Sequence, residues 1–182
     1  WAAATLTIGS CATSEPMILP DLTFTHLEPI RFNAAKIEVF DLYRPPLAPP
    51  NVEHTFRMSP AAVARAWAQQ RIQAAGTEGS VIVTIIDASV VEVPLTMIGG
   101  VLGLLFDKHT YEASLEVTIE YRGPLLAQAS ARALVSRSRS VPQSITLKQK
   151  DAVFYSLVEG LLRDLNEQLE VAIAQSLAPV IL

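Results

Sequence analysis

The clearest hydrophobic pattern in the chain is a strict alternation across residues 111–121. Every second residue, from Tyr111 to Tyr121, is apolar or small, and the residues between them are polar, three of them glutamates. A period of two predicts a β-strand with one buried and one solvated face. A similar alternation predicts a first strand within residues 33–43.

Two further strands flank this central pattern. Residues 80–93 are apolar on both faces at first, which predicts a central strand, and the period blurs at residues 87–89, where a β-bulge is expected. After a turn at residues 122–124, residues 126–138 are expected to return as the next strand, with alanines and Val135 on its inner face. The joining hairpins predict mostly antiparallel pairing.

Two helices have clear start signals. Ser59 and Pro60 fit the N-cap and first helical position of a helix that is expected to end at Gly76. Thr146 and Gln149 fit a capping box. The apolar stripe that follows runs to about Ser176 and predicts a helix roughly 40–45 Å long. This stripe consists of Phe154, Val158, Leu161, Leu165, Leu169, Ala172 and Ile173.

The order β-α-β-β-β-α predicts an α+β fold. We expect a two-layer sandwich in which a mostly antiparallel four-stranded sheet carries both helices on one face. Residues 32–178 are expected to form this single domain. Residues 12–31 hold Pro16, Pro20 and Pro29 without a clear period, which predicts an extended tether.

Composition narrows the classes of partner. Half of the residues are hydrophobic, 18% are charged and the net charge is −4. A negative net charge argues against nucleic acid as the main partner, because phosphate binding needs a positive field. The longest apolar run, Met97 to Phe106, is about half of the roughly 20 residues that a membrane-spanning helix needs.

The sequence offers few signals for catalysis. The three histidines have no metal-ligand partner at helical spacing, and neither a Gly-x-Ser-x-Gly elbow nor a P-loop occurs. We therefore expect no catalytic residue, no metal and no cofactor. Because catalytic triads assemble in space, an enzyme with an unrecognised site is an alternative. Asp87, inside an apolar strand, would be a candidate acid if buried with a raised pKa, but it is rather expected to sit at the bulge or to pair with Arg132.

Two other segments suggest contact surfaces. Arg132, Arg137 and Arg139 could form a patch for an anionic lipid head group, or a solvated strand end.

The connection at residues 95–106 is unusually apolar for a hairpin, so it either caps the sandwich or contacts a partner or membrane. Its contact residues would be Met97, Ile98, Leu102, Leu104, Leu105 and Phe106.

The N-terminus contains the single cysteine of the chain. Ile8-Gly9-Ser10-Cys11 resembles the lipobox of bacterial envelope lipoproteins, which runs branched aliphatic, small, small, Cys, and an uncharged apolar stretch precedes it. The resemblance implies that residues 1–10 end a signal peptide and that residues 11–31 are a lipidated Cys11 and its tether. Ala12, where inner-membrane lipoproteins often have Asp, implies the periplasmic leaflet of the outer membrane.

The predicted architecture resembles the auxiliary lipoproteins of ABC-type envelope lipid transporters, and the whole chain is similar to uncharacterised alphaproteobacterial lipoproteins. This resemblance implies a non-enzymatic, lipid-anchored, periplasm-facing binding or accessory protein of envelope maintenance or lipid transport. Its partners would be the membrane and an envelope protein or lipid. A soluble protein-interaction domain with an unmodified Cys11 is the alternative from another class.

Overall fold

The computed structural model describes residues 19–95, 108–124, 129–142 and 144–182. Two sets of predicted functional residues lie outside these ranges. One is Cys11 with the rest of the lipobox. The other is the set of apolar contact residues, Met97, Ile98, Leu102, Leu104, Leu105 and Phe106.

Two helices and seven strands make up the described part of the chain, and the α+β class is confirmed. The helices are α1 (Pro60–Arg71) and α2 (Leu147–Ser176), and short 3₁₀ turns lie at Glu53–Thr55 and Ala178–Val180. The strands are β1 (Ile30–Phe32), β2 (Lys36–Asp41), β3 (Ile72–Ala74), β4 (Ser80–Asp87), β5 (Val90–Leu95), β6 (Lys108–Arg122) and β7 (Ala129–Pro142).

The main sheet has five strands arranged around β6. β7 is antiparallel to β6 along nearly its whole length. On the other side of β6, β4 and β5 follow one another, both antiparallel. β2 is parallel to β4 at the edge, and α1 lies between the two strands in the chain. The sheet is therefore mixed, with mostly antiparallel pairs, and it has five strands rather than the predicted four, because the segment predicted as one central strand forms both β4 and β5.

The expected bulge splits the predicted central strand into β4 and β5. The register shifts between Ile85 and Asp87. The Asp87 carboxylate accepts hydrogen bonds from the backbone N–H and the hydroxyl of Ser89, both at 3.1 Å, which holds the kink. The Asp87 carboxylate thus has its hydrogen-bond donors in Ser89, two residues away, and does not pair with Arg132.

The alternation in β6 is confirmed. All six odd-numbered residues from Tyr111 to Tyr121 are buried, and the even-numbered ones lie on the opposite face. We call the buried side the inner face and the opposite side the outer face. Both helices pack on the inner face, where Trp67 of α1 and Leu161, Leu165 and Leu169 of α2 are fully buried.

The helix starts are confirmed, but the end of α1 is not. The Ser59 hydroxyl accepts from Ala62 N at 3.3 Å, and Thr146 and Gln149 form the capping box. The helix α1 ends at Arg71 rather than Gly76, because residues 72–74 pair in parallel with β1. Gly76 instead permits a close approach, since a Cβ there would lie 2.2 Å from Asn33 Oδ1.

The folded unit begins upstream of residue 32. Phe24 is buried and its backbone N–H donates to Gln70 Oε1 of α1 at 2.6 Å, while Leu22 and Leu27 pack against the core. The predicted tether at residues 11–31 is therefore too long at its C-terminal end. The domain also extends past residue 178, since Val180 is buried.

Among the described residues, no helix is both long and apolar enough to cross a membrane.

Candidate functional site

The three arginines predicted for a head-group patch do not converge. Arg132 lies on the outer face, 2.9 Å from Glu116. Arg137 lies on the inner face and donates two hydrogen bonds to Asp164 of α2, at 2.5 and 2.8 Å. Arg139 is exposed, opposite Tyr111 in the register. The structure therefore places these side chains on two faces of β7, and two of them already have anionic partners.

The Arg137–Asp164 pair is built into the contact between β7 and α2. The hydrogen bonds from Arg137 hold the pKa of the Asp164 carboxyl below its usual value. Gly160 makes room for the guanidinium, because a Cβ at this position would lie 2.8 Å from Arg137 Nη1. These contacts give Arg137 a structural role at this interface.

A cleft of about 340 Å³ with both polar and apolar lining residues opens beside the residues that follow β2. Glu53, which lines it, is only 2% exposed. Its carboxylate accepts from the Tyr43 hydroxyl at 2.6 Å and from Val90 N at 3.2 Å. Burial and the bond to Glu53 raise the pKa of the Tyr43 hydroxyl. Each of these polar groups is used to fix the loop against β5.

A second polar cluster joins the two helices. The indole N–H of Trp67 and Nε of Arg71 both donate to Asn166 Oδ1, at 2.9 and 3.3 Å. Arg71 also pairs with Glu170. The guanidinium of Arg71 is almost fully buried, so this ion pair and the amide together satisfy a charge that would otherwise be costly to bury.

Two hollows lie along α2 beside the N-terminal segment. One, of about 430 Å³, is lined by residues 22–27 and by α2 residues including Leu162 and Arg163. The other, of about 630 Å³, is lined by residues 27–31 and by α2 residues including Ile173 and Ala174. Leu27 borders both. Together they form what we call the α2 groove, and their volumes lie in the range of small-ligand sites.

The outer face of the sheet exposes large apolar side chains. Phe40, Leu42, Ile86 and Leu134 are 48%, 62%, 41% and 53% exposed. We call these four residues the outer apolar patch. Ile86 is the one member of this patch within residues 80–87, which are apolar on both faces, and no sequence pattern predicted the other three. In the described part of the chain, both helices lie on the inner face, and neither of them packs on the outer face.

Within the described residues, no three His, Cys, Asp or Glu side chains are grouped as metal ligands.

Comparison with known proteins gives only a coarse likeness. No protein-family model matches the chain, and no curated protein sequence matches it. Among solved structures, the chain is similar to a minor lipoprotein from Acinetobacter baumannii, with a TM-score of 0.40 and 8% sequence identity. The likeness covers 75% of this chain and 91% of that one. No functional residue is transferred at this level of similarity.

Proposed function

We propose that the protein is a non-enzymatic accessory protein of the bacterial cell envelope that is anchored to the membrane by acyl chains on Cys11. The observation that carries the proposal is the sequence Ile8-Gly9-Ser10-Cys11, which resembles a lipobox and stands a short distance before the folded unit. Phe24, which is fixed in the domain, lies thirteen residues after Cys11. An extended chain of that length spans at most about 45 Å, so the anchor would keep the domain at the membrane surface.

The α2 groove supports a role in handling lipid. It lies beside the segment that leads towards Cys11, and it combines apolar walls with charged rims, as a site for an amphipathic molecule would. We propose that it accepts an acyl chain of a membrane lipid, with envelope maintenance or lipid transport as the process served. We place the protein on the periplasmic leaflet of the outer membrane, as Ala12 implies.

The anchor is tested on the full-length protein expressed in a bacterium. Intact mass should show a mature chain that begins at Cys11 and carries added acyl mass, and Cys11→Ala should move the protein to the soluble fraction. Mass spectra recorded under non-denaturing conditions should show co-purified lipid. A mature chain that retains Trp1 with an unmodified Cys11 would contradict the proposal.

The same preparations test the apolar contact residues between β5 and β6, which carry the proposed partner or membrane contact. Leu105→Asp and Phe106→Asp should abolish liposome binding or partner capture while the melting temperature stays nearly unchanged. Leu147→Asp is the matched control, because Leu147 is an apolar residue 82% exposed elsewhere on the surface. A large loss of stability with capture intact would assign the segment to the core instead.

A further inference from the structure

The two hollows of the α2 groove differ in polarity. The first hollow, beside residues 22–27, has six polar residues among its ten lining residues. The second hollow is mostly apolar, with eight apolar residues among twelve. Of its four charged residues, Arg71 pairs with Glu170. The other two, Glu28 and Arg31, are exposed and have opposite signs. The groove therefore has a polar end and an apolar end, as a site for an amphipathic molecule requires.

Three charged side chains of α2 line the first hollow, and we call them the charged ridge. Glu159, Arg163 and Glu167 follow one another at intervals of four residues, so they lie on one face of the helix with about 5–6 Å between successive Cβ atoms. All three are exposed, and no hydrogen bond or ion pair joins them to any described residue. Asp164, next to Arg163 in the chain, is already bound by Arg137. The charged ridge is therefore available to a ligand.

The order of signs on the charged ridge favours a zwitterion. The positive guanidinium stands between two carboxylates, and His26 on the N-terminal segment is the remaining titratable group of the first hollow. A purely anionic head group would gain the guanidinium but would also face two like charges, which is unfavourable. A head group that carries both a phosphate and an ammonium finds an oppositely charged partner for each.

We propose that the α2 groove selects a phospholipid whose head group carries both a phosphate and a primary amine. The inference rests on the lipid-handling role proposed above, since it names the class of lipid for the same groove. The planar guanidinium of Arg163 would bind two phosphate oxygens, and the ammonium would donate hydrogen bonds to Glu159 or Glu167. These groups are one helical turn apart, roughly 5.4 Å, and a two-carbon link joins phosphate to amine in such a head group. The acyl chains would extend into the apolar second hollow.

The head-group preference is measured by calorimetry on the 182-residue chain with Cys11→Ala, which removes the acylation site. The probes are dioctanoyl phosphatidylethanolamine, phosphatidylcholine and phosphatidylglycerol, each titrated below its critical micelle concentration. Phosphatidylethanolamine should bind at least about fivefold more tightly than phosphatidylglycerol, because only the former supplies an ammonium to the carboxylates. Phosphatidylcholine should fall between them, since its methylated amine carries the charge but donates no hydrogen bond.

A double variant assigns this preference to the carboxylates. Glu159→Gln combined with Glu167→Gln should bring the dissociation constants of phosphatidylethanolamine and phosphatidylglycerol to within about twofold of each other, because the groups that attract the ammonium are gone. Glu78→Gln combined with Glu112→Gln is the matched control. Both of these glutamates are exposed and lie outside the groove, and the net charge changes by the same amount. The control should keep the preference of the native chain.

Two single variants locate the phosphate and the acyl chains. Arg163→Gln should weaken binding of all three lipids at least about threefold, and Arg139→Gln, at another exposed arginine, should not. Ala174 is exposed and lines the second hollow, so Ala174→Trp would fill that hollow without entering the core. It should weaken binding of all three lipids at least about tenfold, whereas Val171→Trp, outside both hollows, should leave binding unchanged. Melting temperatures check that each variant is folded.

The outcomes separate this inference from the function on which it rests. Equal affinity for phosphatidylethanolamine and phosphatidylglycerol would overturn the head-group inference alone, as would a preference that the double glutamate variant leaves unchanged or binding insensitive to Arg163→Gln. Failure of all three lipids to bind, or binding insensitive to Ala174→Trp, would overturn the lipid role of the groove and this inference with it. None of these results depends on lipidation, so the proposed anchor is tested separately.

Discussion

At the scale of single residues, Glu53 organises the loop between β2 and α1. Its carboxylate is buried and accepts hydrogen bonds from the hydroxyl of Tyr43, ten residues before it, and from the backbone N–H of Val90, 37 residues after it. Buried carboxylates are tolerated when hydrogen-bond donors surround them, which is the case here. The side chain therefore links the loop after β2 to the start of β5.

Replacing Glu53 with Ala should destabilise the fold by about 2–4 kcal/mol, because the Tyr43 hydroxyl and the Val90 N–H would lose their acceptor. Urea unfolding at neutral pH measures the effect. Glu78→Ala, at an exposed glutamate, is the matched control and should change stability by less than about 0.5 kcal/mol. A loss at Glu53 as small as that of the control would show that water replaces the carboxylate.

A second prediction at the scale of residues concerns the stability of the fold at acid pH. Because the pKa of Asp164 is lower in the folded than in the unfolded chain, its stabilising effect is present above the usual value of 3.8 and is lost as the pH falls through the folded pKa. Both partners are about one-third exposed, so the effect should stay below about 1 kcal/mol.

Unfolding of the native chain and of Asp164→Asn should therefore differ most near neutral pH and converge in acid. In an Arg137→Met background, the pH-dependent effect of Asp164→Asn should shrink to the smaller contribution of Arg163. If the difference between the two proteins persisted in strong acid, packing rather than charge would explain it.

At the scale of elements, α2 supplies much of the core through one stripe. Leu161, Leu165 and Leu169 are fully buried against the inner face of the sheet. Each Leu→Ala change should cost about 2–5 kcal/mol of unfolding free energy, since it removes buried methyl groups and leaves a cavity. Val171→Ala, on the exposed side of the same helix, should cost under about 0.5 kcal/mol. Losses below roughly 1 kcal/mol at all three leucines would contradict this packing.

Elements with strong local signals were predictable. The alternation of β6 and the caps of both helices each reflect forces that act within a few residues. The end of α1 was not predictable, because its last expected turn is recruited by β1, some forty residues upstream. Strands of three residues such as β1 and β3 carry no period of their own, so only their tertiary pairing reveals them.

At the scale of the whole molecule, the layer order and the separation of the arginines were predictable, and the α2 groove was not. An arginine-rich stretch of strand places alternate residues on opposite faces, which separates Arg132 from Arg137. The α2 groove depends on how residues 22–31 lie across a helix more than a hundred residues away. The first arrangement follows from the odd spacing of the two arginines once the strand is assigned, whereas the groove has no spacing that the sequence displays.

The closing residues of the chain return to β1. Leu182 N donates to Arg31 O at 2.9 Å, and Asn33 N donates to Val180 O at 2.8 Å. Residue 182 is therefore held about one strand spacing, roughly 4.8 Å, from Arg31. A reporter fused after Leu182 would start beside β1.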